Sequence, residues 1–334
     1  MRAPSFWWKP GRGRLLSPLG AIYGAAAALR MQAAGQNAGL PVICLGNLTV
    51  GGSGKTPAAL AVALILLAAH ERPFFLSRGY GGRLAGPVPV NPSAHGAADV
   101  GDEPLLLARL APTIVARDRV AGAQAARFGG ANVIVMDDGF QNPSLNKDLS
   151  ILVVDGRRGI GNGRIIPAGP LRAPLGTQIG RAHALVIVGS GDGSAAIAEM
   201  GRRRGLAIFH GRLAVDRQQR EALRGRNVLA FAGIGDPEKF IATLTDAGIT
   251  VAERQDFADH HRYTPEEARA LLARADRKNL ILLTTEKDHV RLAGDPQLAR
   301  LAARTATLPV RLVIDEEEAF RDLVLKAVRR DSRG

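Results

Sequence analysis

A single cysteine, Cys44, in 334 residues leaves no intrachain disulfide possible, which excludes a disulfide-stapled secreted scaffold and fits a reducing compartment. Aromatic residues are scarce at 4%, while alanine and glycine are abundant, so helices can approach closely. Acid is missing from the first forty residues, which hold Arg2, Lys9, Arg12, Arg14 and Arg30 and no Asp or Glu. A long apolar run is missing too. Leu15 to Leu29 carries no charge, but fifteen helical residues span about 22 Å, short of the roughly 30 Å hydrocarbon core. Pro18, Gly20 and Gly24 weaken it further as a spanning helix.

What is present is a basic chain, 44 Lys plus Arg against 31 Asp plus Glu, net +13, with 46% hydrophobic residues. Nucleic acid, an anionic membrane or a phosphorylated substrate could each answer that charge. No nucleic-acid module and no aromatic–basic interleaving occurs outside the N-terminus, so nucleic acid is not expected as a partner. The N-terminal segment adds Phe6, Trp7 and Trp8 to its basic residues and short apolar helix. That combination suits a segment lying in a membrane interface, on the cytoplasmic face by positive-inside logic. A secretory signal would strand the nucleotide chemistry described next, and a buried core helix is the plainer alternative.

The most informative run is Val42-Ile43-Cys44-Leu45-Gly46-Asn47-Leu48-Thr49-Val50-Gly51-Gly52-Ser53-Gly54-Lys55-Thr56-Pro57. An apolar strand enters a glycine-rich turn that ends in Gly-Lys-Thr and opens onto a helical pattern. This is a P-loop. Gly51, Gly52, Ser53 and Gly54 let backbone N–H groups close on phosphate oxygens at a helix N-terminus. Lys55 would reach the β- and γ-phosphates of a nucleoside triphosphate and the Thr56 hydroxyl would hold Mg²⁺, and the motif alone does not choose between kinase, ATPase and GTPase. The general motif has glycine five residues before Gly54, where this chain has Thr49.

Strand-like runs alternate with helical ones: Val42–Gly46, Pro73–Ser77, Thr113–Ala116, Asn132–Met136, Leu149–Val154 and Ala184–Val188, with helices at Leu105–Leu110 and Arg119–Phe128. The rhythm predicts an α/β fold, a P-loop NTPase-type, mostly parallel sheet flanked by helices. A glycine- and proline-rich stretch, 156–180, reads as a long functional loop. A second unit begins near Leu206, with strands at Asn227–Ala232, Leu280–Thr284 and Val310–Ile314 and helices at Glu238–Ala247, Thr264–Ala275 and Glu316–Val328. The expected organisation is a membrane-associating segment at 1–35, a P-loop core at 36–205 and a smaller C-terminal α/β lobe at 206–334.

Asp137 and Asp138 end an apolar strand, where a P-loop enzyme needs a carboxylate for Mg²⁺; the sequence does not choose between them. Asp102, in Gly101-Asp102-Glu103-Pro104, reads first as a helix cap and second as a general base. Arg78, Tyr80, Arg117, Arg119, Arg157, Arg158, Arg164 and Arg172 follow strand ends or dot the long loop, where guanidinium groups can clamp phosphates. His260 and His261 lack metal-site spacing, and one of them could tune a carboxylate. Thr285-Glu286-Lys287-Asp288 reads as a capped helix start.

Taken in order, the P-loop run, Ser77-Arg78-Gly79-Tyr80-Gly81, Gly101-Asp102-Glu103-Pro104, Asp137-Asp138-Gly139-Phe140-Gln141, Pro167-Ala168-Gly169-Pro170-Leu171-Arg172, Phe257-Ala258-Asp259-His260 and Thr285-Glu286-Lys287-Asp288 resemble the tetraacyldisaccharide 4′-kinases. The resemblance runs from Trp7 to about Asp288, and Thr49 fits that family's own P-loop variant. It implies ATP-dependent phosphorylation of the 4′-hydroxyl of a tetraacylated disaccharide 1-phosphate, giving lipid IVA in lipid A biosynthesis at the inner membrane. It implies Asp102 as general base with His260 as its partner, Lys55 and Thr56 on ATP and Mg²⁺, and Asp137 or Asp138 completing the metal site. Arg78, Tyr80, Arg117, Arg119 and Arg172 become substrate or phosphate contacts. One departure is Ala173, where many relatives carry glutamate. The partners expected are an anionic glycolipid and the inner-membrane surface, with the protein a monomer. The rival expectation is another membrane-associated P-loop ATPase or an ATP-dependent synthetase with a different acceptor.

Overall fold

The structure is a computed structural model that describes residues 4–9, 11 and 13–329. Arg2 and Arg12 of the basic N-terminal cluster lie outside the described residues.

A nine-stranded sheet forms the main body. Its strands are β1 (Val42–Gly46), β2 (Pro73–Ser77), β3 (Val88–Pro89), β4 (Thr113–Val115), β5 (Val133–Asp137), β6 (Leu149–Asp155), β7 (Ala184–Val188), β8 (Ala207–Val215) and β13 (Val310–Ile314), in the order β13-β8-β7-β6-β1-β5-β2-β4-β3. Seven strands run parallel; β13 on β8 and β3 on β4 are antiparallel. A smaller parallel sheet holds β9 (Asn227–Ala232), β10 (Thr250–Asp256), β11 (Ile281–Thr284) and β12 (Thr305–Thr307), in the order β10-β9-β11-β12.

The central strands are apolar throughout because both faces are covered. Successive side chains alternate between two cores. Ile43, Leu45, Val133, Val135, Ile151 and Val153 meet the helices Lys55–Ala68 and Glu317–Arg329 through Ala58, Val62, Leu66, Phe320 and Val324. Val42, Cys44, Ile134, Met136, Leu152 and Val154 face the other way, onto Ala27 and Met31 of the helix Ser17–Met31 and Ala123 and Ala126 of Arg119–Phe128. Burial among these chains pushes the Cys44 thiol up to about 12, so it stays protonated and inert.

Three expectations need correction. The C-terminal lobe is narrower than 206–334: β8 and β13 join the large sheet, and the second sheet spans only Asn227 to Thr307. The tryptophans turn inward. Trp7 is buried with its indole N–H donating to the Pro167 carbonyl (2.9 Å), and Trp8 lies under the Arg158 guanidinium, 4.8 Å from ring to carbon. The helix Ser17–Met31 is neither wholly core nor wholly surface. It buries Gly20, Gly24, Ala27 and Met31 and exposes Leu19, Ile22 and Leu29, with Leu15 just ahead of it 97% exposed.

Candidate active site

The P-loop leaves the C-terminal end of β1, in the middle of the sheet, and enters the helix Lys55–Ala68. Gly51 (φ +115°) and Gly54 (φ +95°) hold left-handed conformations that a side chain would strain, which is what the turn requires of them. Asn47 Nδ2 donates to the Gly51 carbonyl (3.2 Å) and ties the loop's start to its turn. The Pro167–Arg172 segment braces it from outside: Val50 N donates to Pro170 O (2.8 Å) and Arg172 N to Leu48 O (2.9 Å). Lys55 and Thr56 are buried in the helix's first turn.

The paired aspartates at the end of β5 have opposite surroundings. Asp138, in a left-handed conformation (φ +53°), accepts Arg172 Nη1 at 2.8 Å and lies 3.4 Å from Lys55 Nζ. Burial would raise its carboxyl, but the Lys55 and Arg172 charges outweigh that and hold it well below the usual range. Asp137 is 1% exposed, and both its carboxylate oxygens lack a hydrogen-bond partner among the described residues. Burial, then the charge of Glu103 and Asp138 against the pull of Lys55, pushes its carboxyl up to about 7. A buried carboxylate without a partner among the described residues, within range of the P-loop Lys55 charge, fits a Mg²⁺ that takes one or two protein oxygens and completes its shell with phosphate and water. Among the described residues no three His, Cys, Asp or Glu side chains gather into a metal cage.

The second charged group forms where the lobes meet. The left-handed Gly101 (φ +90°) is obligatory, since a Cβ there would stand 2.5 Å from the Tyr80 carbonyl. The turn places Asp102 at the start of the short helix Asp102–Leu107, 4% exposed. Asp102 Oδ1 accepts the Glu103 N–H (3.0 Å). Asp102 Oδ2 meets His260 Nδ1 at 3.3 Å and Arg291 Nε at 2.9 Å, and also Arg291 Nη2. Burial opposes ionisation, yet the His260 hydrogen bond and the Arg291 and Lys287 charges prevail and keep this carboxyl ionised well below its usual range. The bond to Asp102 correspondingly raises His260, against burial. His260 is itself left-handed (φ +55°), donates its backbone N–H to Gly233 O (3.0 Å), and meets the Tyr80 ring edge-on at 5.2 Å. Glu103 pairs with Lys287 across the same junction.

Asp102 and His260 are thus together, as are Lys55, Thr56, Asp137 and Asp138. Arg78 and Arg117 are exposed just past the ends of β2 and β4. Arg119 is 3% exposed and donates to the Ala116 carbonyl (3.3 Å), with the Asp137 and Asp138 charges acting on it. Arg172 binds Asp138 and the Thr49 carbonyl (3.2 Å). Arg157 and Arg158 pair with Asp236 and Arg164 with Ser17. His261 turns to Glu267 and stacks on Phe257. Lys287 and Arg291 were missed as site residues. Their motif reads as a capped helix start, which it also is, with Thr285 accepting the Asp288 N–H.

A phosphate loop at the C-terminal edge of a parallel sheet, with an unpartnered carboxylate on the neighbouring strand, defines a P-loop nucleotide-binding enzyme. A family model described as Tetraacyldisaccharide-1-P 4′-kinase matches residues 12–329. The tetraacyldisaccharide 4′-kinase of Rhodopseudomonas palustris strain BisA53 is 53% identical over 326 residues, covering 97% of this chain and 95% of that protein. That of Methylobacterium radiotolerans is 54% identical over 326 residues, covering 96% and 97%. The crystal structure of "apo" form LpxK from Aquifex aeolicus in complex with ATP superposes with a TM-score of 0.73 at 28% identity, covering 95% of this chain and 99% of that one. The chain belongs to the tetraacyldisaccharide 4′-kinase family.

Proposed function

We propose that this chain transfers the γ-phosphoryl group of ATP to the 4′-hydroxyl of tetraacyldisaccharide 1-phosphate, forming lipid IVA, as a monomer at the cytoplasmic face of the inner membrane. The observation that carries the site assignment is the Asp102 carboxylate, held by His260 and Arg291 at the lobe junction, with its neighbour Glu103 close enough to Asp137 for its charge to raise that carboxyl. Gly51 to Thr56 cradle the phosphates, and Lys55 leaves Asp138 to meet the β- and γ-oxygens. Asp137 and Thr56 would hold a Mg²⁺ ion, which would supply positive charge against those oxygens. The sugar oxygen forms the new O–P bond, the bond to the β-phosphate oxygen breaks, and the hydroxyl proton passes to Asp102. A carboxylate of low basicity suffices because the phosphoryl transition state is loose and the nucleophile keeps its proton until late. Tyr80, Arg78 and Arg117 border the acceptor.

Support for the membrane reading comes from the apolar row Leu15, Leu19, Ile22 and Leu29, which faces away from the protein, and from the basic N-terminus. Among the described residues no helix is long and apolar enough to cross a membrane, so the segment would lie in the interface. The test is transfer of labelled γ-phosphate from ATP to tetraacyldisaccharide 1-phosphate in detergent micelles, wild type beside Asp102→Asn. Labelled lipid is expected from the wild type and a loss of about 10²–10⁴-fold from the variant. ATP hydrolysis without labelled lipid would move the acceptor elsewhere.

A further inference from the structure

Asp102 does not sit at the junction unaided. Arg291 comes from the helix Glu286–Ala293 of the smaller lobe and is 189 residues away in sequence, yet two of its nitrogens close on one oxygen, Asp102 Oδ2. Its third, Nη1, donates to Asp288 Oδ1 (2.8 Å) and to Gly233 O (2.8 Å). Asp288 is fully buried and fixed in turn by the Gly233 N–H (2.9 Å), the Tyr263 hydroxyl (2.8 Å) and Thr285 Oγ1 (2.6 Å). Gly233 O also accepts the His260 backbone N–H, so one carbonyl indexes both groups that touch Asp102 Oδ2. The Arg291 side chain is 8% exposed, and each of its three guanidinium nitrogens has a partner.

We infer that Arg291 is the positioning residue of the phosphoryl-transfer step. It clamps Asp102 Oδ2 to the smaller lobe and leaves Oδ1, whose contact among the described residues is the Glu103 N–H, with a lone pair for the acceptor proton. The inference rests on the reading of Asp102 as base. Its physical content is twofold: a planar fork fixes the carboxylate's rotation, which a point charge would not, and the charge keeps it ionised. The charged groups facing Asp102 are Arg291 and Lys287 from that helix, His260 from the loop after β10, and Glu103 from its own helix, with Asp288 behind Arg291.

The test is kcat and KM for phosphoryl transfer at pH 8 in wild type, Arg291→Met, Arg291→Lys and Asp102→Asn, with thermal melts of each. Arg291→Met is expected to lower kcat about 10²-fold and leave both KM values little changed. Arg291→Lys keeps charge beside Asp288 and Asp102 and so keeps the fold; its kcat should still fall about tenfold through the lost fork, with both KM values again little changed. An Arg291→Met enzyme with wild-type kcat, or full rescue of kcat by lysine, overturns the inference. If Asp102→Asn is inactive in either case, the base reading stands without Arg291. If Asp102→Asn transfers phosphate at the wild-type rate, the base reading itself has failed.

Discussion

Adjacent aspartates of the same chemistry differ here because, among the described residues, one has partners and the other does not. Asp138 is neutralised by Arg172 and Lys55, whereas Asp137 is buried bare beside them. The folded-state value of Asp137, about 7, lies above its ordinary 3.8, so the folded protein holds this proton more tightly than the unfolded chain does. The associated stability is full below about pH 4 and is lost as pH rises through about 7. Without nucleotide or divalent cation, Asp137→Asn should therefore melt higher than wild type at pH 8 and about level with it near pH 4, while losing transfer activity. A variant that melts lower at pH 8 would mean Asp137 is paired in solution. Contiguous motifs made Lys55, Thr56, Asp102 and the aspartate pair legible in the sequence. The choice between Asp137 and Asp138 was not, because it depends on Arg172, 34 residues on. Arg291 was hidden for the same reason at greater distance, and the burial of Arg119 is a property of packing rather than of its neighbours in sequence.

Elements show the same division between local and distant causes. The strands of β1, β5, β6 and β7 were readable because burial on both faces makes them continuously apolar. Strand β10, Thr-Val-Ala-Glu-Arg-Gln-Asp, was not, since it is an edge strand with no fully buried residue and carries three charges. The helix Ser17–Met31 is the instructive intermediate. Glycine at 20 and 24 gives it a flat docking face; a Cβ on Gly20 would lie 2.8 Å from the Ile165 carbonyl oxygen. Gly20→Val should then cost about 1–3 kcal/mol in urea unfolding, because the backbone at Ile165 cannot yield as a side chain would. The opposite face predicts a different phenotype. Leu19→Ser, Ile22→Ser and Leu29→Ser together should leave the melting temperature unchanged and reduce binding to anionic vesicles at least about tenfold, given about 1.5–3 kcal/mol for burying each aliphatic chain fully. Flotation of the triple variant with vesicles as efficiently as wild type would return this face to some other contact.

At the scale of the whole molecule, the smaller lobe straddles the P-loop. Towards β4 it reaches Asp102 and Glu103 through Arg291 and Lys287. Towards β6 its Asp236 takes Arg157 (2.6 Å) and Arg158 (2.8 Å), and its Lys239 takes Asp155 (2.8 Å). Between these anchors Gly235 rests on the loop itself, close enough that a Cβ there would be 3.6 Å from the Gly52 N. A lobe held at both ends would shield a bound γ-phosphate from water and so favour the sugar hydroxyl over hydrolysis. The two anchorages are separable by experiment because only the β4 side touches Asp102. Asp236→Asn releases Arg157 and Arg158, of which Arg157 is already more than half exposed, so the fold should tolerate it. The lobe would then part more readily at its β6 end while the base stays assembled. Acceptor-independent ATP hydrolysis is expected to rise relative to phosphoryl transfer in Asp236→Asn, and also in wild type as salt approaches 1 M, where the screening length falls to about 3 Å. If the ratio of hydrolysis to transfer is the same in the variant and indifferent to salt, water is kept out by something other than these ion pairs, and the apolar contact of Val290 with Leu105 and Leu106 becomes the element to test next.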